Sequence, residues 1–233
     1  MAVVIPAYQA ARTIADIVSR VRQTVPGAEV CVLDDGSTDD TGRRAREAGA
    51  TVIAHPGNCG KGAALASGIT AALAGGATAV ATLDADGQHP PETLPALLAP
   101  VMAGEADLVL GGRRRTHPMP LSRRLTNWLS ARLASRLAGQ PVTDAQTGYR
   151  VFTAELARRV RPSERHYDFE TAFLLDALAA GCRVQCVLIP TVYDGTPSHF
   201  RSLADTWRIA RVFRRHARGI LWGRRGQGRG RAA

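Results

Sequence analysis

Asp84 and Asp86 are the residues of this chain best suited to chemistry. One residue, Ala85, separates them, and they follow an apolar run from Ala79 to Leu83. Two carboxylates so spaced can converge on one hard divalent cation while water and phosphate oxygens complete its coordination. Gln88 and His89 follow on the same stretch and can orient that shell. A cation held there would neutralise a diphosphate leaving group, the electrostatic task in breaking a sugar–phosphate bond. Taken alone, the triplet also reads as a turn with two solvated acids.

Two further polar stretches have the same setting. Asp34-Asp35-Gly36-Ser37-Thr38-Asp39 follows the apolar run Val30 to Leu33. Asp35 there can accept hydrogen bonds from a base N–H or a ribose hydroxyl, while Ser37 or Thr38 is expected to cap the following helix. Asn58-Cys59-Gly60-Lys61-Gly62 precedes another helix and holds the only lysine in the chain. The glycine after Lys61 breaks the spacing of a Walker phosphate loop, which excludes that class of nucleotidase. Glycines on both sides of the lysine suit close approach of the backbone to an anionic ligand.

The elements that must position these residues alternate. Apolar runs at 2–5, 30–33, 51–54 and 79–83 read as buried strands. Between them, helices are expected to about Thr24 (with Ile14, Ile17, Val18 and Val21 on one face), from about Asp39, and from Gly62 to Ala74. Later, 107–110, 148–152 and 184–189 read as strands, and 122–137, 169–180 and 202–216 as helices. The fold class is therefore α/β, with a mostly parallel central sheet and helices on both faces. Ligands of such sheets bind beyond the carboxyl ends of the strands, where all three polar stretches fall.

Composition narrows the partners. The 233 residues carry a formal net charge of +10. From Phe200 onward there are ten arginines and one acid, Asp205, so that the remainder is nearly neutral. Trp207, Ile209, Val212, Phe213 and Trp222 lie among those arginines, which suits adsorption to anionic headgroups. A nucleic-acid arm is the rival reading, but no groove motif or aromatic platform supports specific binding. The four cysteines lack zinc-knuckle or redox spacing and read as free thiols of a reducing compartment. Neither a signal peptide nor a membrane span is expected.

In this order the motifs resemble glycosyltransferase family 2, which has the GT-A nucleotide-diphospho-sugar transferase fold, and within it the polyprenyl-phosphate (dolichyl-phosphate) mannosyl- and glucosyltransferases. The matching segments are VVIPAYQA at 3–10, VLDDGSTDDT at 32–41, GNCGKGAAL at 57–65 and LDADGQHPPE at 83–92. GGRRR at 111–115, SRRLTN at 122–127, DAQTGYRVF at 144–152 and YDFE at 167–170 continue the series. The resemblance implies a GT-A domain over residues 1–200, and composition adds a basic amphipathic helix and flexible Arg/Gly-rich tail over 201–233. It implies an inverting transfer from a UDP- or GDP-sugar to a lipid phosphate, with Mg2+ or Mn2+, in the cytoplasm at the inner face of the membrane.

Residue by residue, the resemblance assigns Pro6, Ala7, Tyr8, Leu33, Asp35, Lys61, Asp84, Ala85, Asp86 and Gln88 to the nucleotide sugar. Asp84, Asp86 and Gln88 match the metal group. Arg113 and the Arg123–Arg124 pair match lipid-phosphate positions, to which His199 is added. Asp144 and Asp86 are the candidate catalytic carboxylates, with Glu170 a second choice whose role is more structural. Ala10 stands where the family often has an acid, and Tyr193 and His199 where many mannosyltransferases have basic residues, so GDP-mannose is not required. A transferase acting on a hydroxyl acceptor, or an inactive GT-A-like domain that binds membrane or nucleic acid, is the alternative.

Overall fold

Alternation of side chains along the first strand already defines two layers. The computed structural model describes residues 1–113, 131–136, 142, 144–190 and 207–216. In β1 (Ala2–Ala7), Ala2 and Val4 face one apolar cluster, whereas Val3, Ile5 and Ala7 face another. β1 pairs in parallel with β2 (Glu29–Asp34) on one side and β4 (Ala79–Thr82) on the other, and β3 (Thr51–Ala54) extends the sheet beyond β2. The seven strands lie in the order β3-β2-β1-β4-β6-β5-β7. β6 (Arg150–Thr153) runs antiparallel to both neighbours, β4 and β5 (Leu108–Arg113), and β7 (Val184–Ile189) pairs in parallel with β5.

Helices cover both faces. α1 (Ile14–Thr24) buries Ile14, Ile17, Val18 and Val21, the predicted stripe, against Val3, Ile5 and Val32. α2 (Thr41–Glu47) and α4 (Leu94–Met102) share that side, with Ala45, Leu94, Leu97 and Val101 buried. α3 (Lys61–Ala74) packs on the other side with α5 (Ala154–Arg159) and α6 (Phe169–Ala179). Phe152 and Phe173 meet there with ring centroids 4.8 Å apart. Gly68 lets α3 approach this closely, because a Cβ on it would lie 2.4 Å from both Leu33 and Val4 side chains.

A helical segment at 207–216 packs on α6 rather than standing away from the domain. Ile209, Val212 and Phe213 are buried with Ala172 and Leu175, and Leu133 of the helical segment 131–136 joins them. His216 contacts Asp176 at 2.6 Å, and Arg215 pairs with Glu164 at 2.8 Å. Three of the apolar residues read from sequence as lipid-facing therefore serve an internal contact. Trp207 remains 65% exposed.

Candidate active site

Strand direction gathers the polar residues at one edge. β1, β2 and β4 are mutually parallel, so Tyr8, Asp35 and Asp84 follow their carboxyl ends. Antiparallel β6 brings its start to the same edge, with Arg150 opposite Thr82. Residues 144–149, which lead into β6, consequently stand beside the loop that follows β4. The Thr82 hydroxyl donates to the Gly148 carbonyl at 2.7 Å and ties the two together. Glycine at 148 lets the Asp84 carboxylate lie against this stretch, since a Cβ would lie 2.4 Å from one of its oxygens.

The loop after β4 is held from both sides. Thr13, just before α1, donates its hydroxyl to the Ala85 carbonyl at 2.6 Å. The Gln88 amide donates to Asp86 Oδ1 at 3.0 Å, which fixes the second carboxylate within its own turn. His89 is buried against Tyr149, their ring centroids 5.5 Å apart, and so packs the base of the loop. Two carboxylates on one anchored, half-buried loop form an all-oxygen donor set that fits a hard divalent cation.

Lys61 reaches this loop from the start of α3. Its Nζ lies 2.7 Å from Asp84 Oδ1 and 2.6 Å from Glu170 Oε1, with its side chain 18% exposed. Burial alone would lower its pKa, but the two carboxylates outweigh that penalty and raise it. Arg150 is buried and donates to three backbone carbonyls: Nε to Thr147, one terminal nitrogen to Glu170 and the other to Ala145. Burial pushes it down to about 10, opposed by Glu170, Asp144 and Asp84, so it stays cationic at neutral pH. Asp144 is itself buried and accepts from the Gln146 amide at 3.1 Å. Asp84, Asp144 and Glu170 thus share one buried patch with two cations.

The glycines beside Lys61 also allow a close approach within the fold. A Cβ on Gly60 would lie 2.4 Å from the Arg165 carbonyl oxygen, and one on Gly62 would lie 2.8 Å from Phe169. They let residues 164–169 cross α3 and deliver Glu170 to Lys61. The expected cap of α2 is also corrected: Ser37 and Thr38 instead accept from the Gln9 backbone and side chain, at 3.0 and 2.8 Å. Gln9 has φ +52°, and these bonds hold that turn beside Tyr8. Asp35 is buried and accepts from the Cys59 and Gly60 amides at 3.0 and 2.8 Å, and His55 Nδ1 lies 2.7 Å away.

Pro6 and Ala7 are buried within β1, Leu33 is wholly buried in β2, and Tyr8 is 40% exposed at the mouth. Arg113 ends β5 in register with Ile189. Arg123, Arg124 and His199 lie outside the described residues, as does the Arg/Gly-rich end of the chain.

The family model described as "Glycosyl transferase family 2" matches residues 2–161, well over half of the chain. This chain belongs to glycosyl transferase family 2. The transferase is 33% identical to the undecaprenyl-phosphate mannosyltransferase of Micrococcus luteus, over 67% of this chain and 68% of that protein. It is 35% identical to the polyprenol monophosphomannose synthase of Mycolicibacterium smegmatis, over 68% of this chain and 63% of its length. Among solved structures, it resembles glucosyl-3-phosphoglycerate synthase from Mycobacterium tuberculosis in complex with Mn2+, UDP and glucosyl-3-phosphoglycerate. That likeness has a TM-score of 0.68 and 26% identity, covering 94% of this chain and 78% of the other. The fold is GT-A and the chain a glycosyltransferase.

Sequence reasoning passed over two residues of this transferase's site. Arg150 sits in an apolar strand where its own charge is the signal, because an arginine inside a sheet must have carboxylates near it. His55 follows β3 as an isolated histidine, and only the fold shows that it meets Asp35 and Ser67.

Proposed function

We propose that this glycosyltransferase moves a sugar, with inversion, from a UDP- or GDP-sugar to a polyprenyl phosphate, using Mg2+ or Mn2+. The observation that carries the reading is the anchored Asp84–Asp86 loop, joined by Lys61 to Glu170 at the carboxyl edge of the sheet. The names of the Micrococcus and Mycolicibacterium relatives support the acceptor class. The mycobacterial synthase, solved in complex with Mn2+ and UDP, supports the donor class and the ion.

Asp84, Asp86 and Gln88 would hold the cation, which when bound offsets charge developing on the departing diphosphate. Pro6, Ala7, Tyr8, Leu33 and Asp35 line the nucleotide side. Lys61 supplies a fixed positive charge beside Asp84, available to a phosphate oxygen as the nucleotide enters. On the acceptor side Arg113, the Arg123–Arg124 pair and His199 bind the lipid phosphate, for which guanidinium forks are suited. A phosphate nucleophile is already ionised at neutral pH and needs no base. Asp144 and Asp86 supply negative charge near the anomeric carbon as it gains oxocarbenium character. Trp207, Arg211 and Arg214, exposed on the docked segment 207–216, are the described residues that would face the membrane.

The test is incubation of labelled UDP- and GDP-sugars with a polyprenyl phosphate and Mn2+. The expected result is label in an organic-extractable product, with Asp84→Asn and Asp86→Asn each lowering the rate by about 100-fold or more. Label only in water-soluble products would refute the lipid acceptor.

A further inference from the structure

Asp35 has less to offer a nucleotide base than a carboxylate ordinarily has. An ionised carboxylate has about four lone-pair positions for hydrogen bonds. Oδ1 accepts from His55 Nδ1 at 2.7 Å and from the Cys59 amide at 3.0 Å. Oδ2 accepts from the Gly60 amide at 2.8 Å, which leaves a single position, on Oδ2. We propose that His55 is a positioning residue: by occupying Asp35 Oδ1, it makes the base subsite select a uridine over a guanosine nucleotide. The selection rests on Asp35 facing the nucleotide, as proposed above.

The imidazole is held in the tautomer this requires. A carboxylate only accepts, so the ring proton sits on Nδ1 and Nε2 becomes an acceptor. Ser67, on α3, matches it with its hydroxyl 3.0 Å from Nε2. Both backbones are fixed as well, with the His55 amide donating to the Asp34 carbonyl and the Asp35 amide to the Ala7 carbonyl, each at 2.9 Å. Gly36 has φ +75°, and its Cβ would lie 2.5 Å from the Gly57 backbone, so glycine there lets the loop reach the carboxylate. Uracil presents one ring donor, N3–H, which the remaining position can accept. Guanine presents two parallel donors, N1–H and the exocyclic amine, which pair with both oxygens of an open carboxylate. Here only one of them is met. The Asp35 side chain is 4% exposed, which leaves water little room to take up the other. A donor left unmet there should weaken binding by about tenfold.

The test is calorimetric binding of UDP, GDP and IDP to the full chain with Mg2+. Hypoxanthine, the base of IDP, has the size of guanine but lacks its exocyclic amine, and so presents one donor. Wild type should bind UDP about tenfold more tightly than GDP, and IDP several-fold more tightly than GDP. His55→Leu removes the competing donor and frees Oδ1, so the preference for IDP over GDP should disappear. His55→Asn keeps an N–H donor near the position of Nδ1 and should retain the preference. Circular dichroism confirms that each variant is folded, and the wild-type comparison of IDP with GDP needs no variant. GDP binding wild type as tightly as UDP or IDP would overturn the selection. So would an IDP preference that persists in His55→Leu, or one lost equally in His55→Asn. Failure of all three nucleotides to bind would instead sink the nucleotide-sugar reading, and this selection with it.

Discussion

Lys61 shows why a single side chain can matter to both stability and chemistry. It neutralises Asp84 and Glu170 where neither carboxylate is well solvated. Replacing it with methionine preserves bulk but leaves two acids without their cation, a change that typically costs about 3–5 kcal/mol. Urea unfolding of Lys61→Met should show that loss, and a change under about 1 kcal/mol would mean the pairs are solvated and weak. Gly148 separates the two roles. Gly148→Ala would press its methyl onto the Asp84 carboxylate, the movable end of a side chain, so unfolding should change by less than about 1 kcal/mol. Mn2+ affinity should nevertheless fall several-fold, read by titration. Equal affinity in the two proteins would mean that Asp84 is free to turn elsewhere.

At the scale of elements, the docked segment 207–216 carries a pH dependence with a definite sign. The hydrogen bond to Asp176 raises the His216 pKa above its ordinary value, against burial and the nearby Arg215. Its contribution is therefore complete below about 6.5, the unfolded value, and is lost as pH rises through the higher folded value. Hydrogen exchange of residues 209–213 should quicken over that rise in wild type and show no such step in His216→Ala. Identical profiles would remove His216 from the docking contact. This element also marks where sequence reading succeeded and failed. Periodicity gave the helix, and the stripe of α1 gave its buried face residue for residue. But an apolar face flanked by arginines looks the same whether lipid or α6 covers it. Pattern alone therefore does not tell that α6 covers Ile209, Val212 and Phe213. Likewise Gly60 and Gly62 were legible as a close approach, but not what approached.

For the whole molecule, topology converts separate motifs into one site. The motifs after β1, β2 and β4 fall together because those strands are parallel, which alternation of apolar runs already implied. The meeting of Asp144 and Arg150 with Asp84 needed the reversed β6, which nothing in the run 148–152 announces. Among the described residues no helix is long and apolar enough to cross a membrane. Under the proposed function, contact with a lipid substrate would fall to the basic end of the chain. Vesicles containing anionic lipid should bind the protein at low salt and release it as salt screens the arginines, with neutral vesicles binding little. Salt-independent binding would point to apolar insertion. The claim beneath all of these is that the loop at the end of β4 grips a divalent cation. Mn2+ binding in the presence of a nucleoside diphosphate, followed by the electron spin resonance of the free ion, measures it directly. Wild type should bind about one ion, and Asp84→Asn/Asp86→Asn should bind at least about tenfold more weakly. Unchanged binding in the double variant would contradict the account.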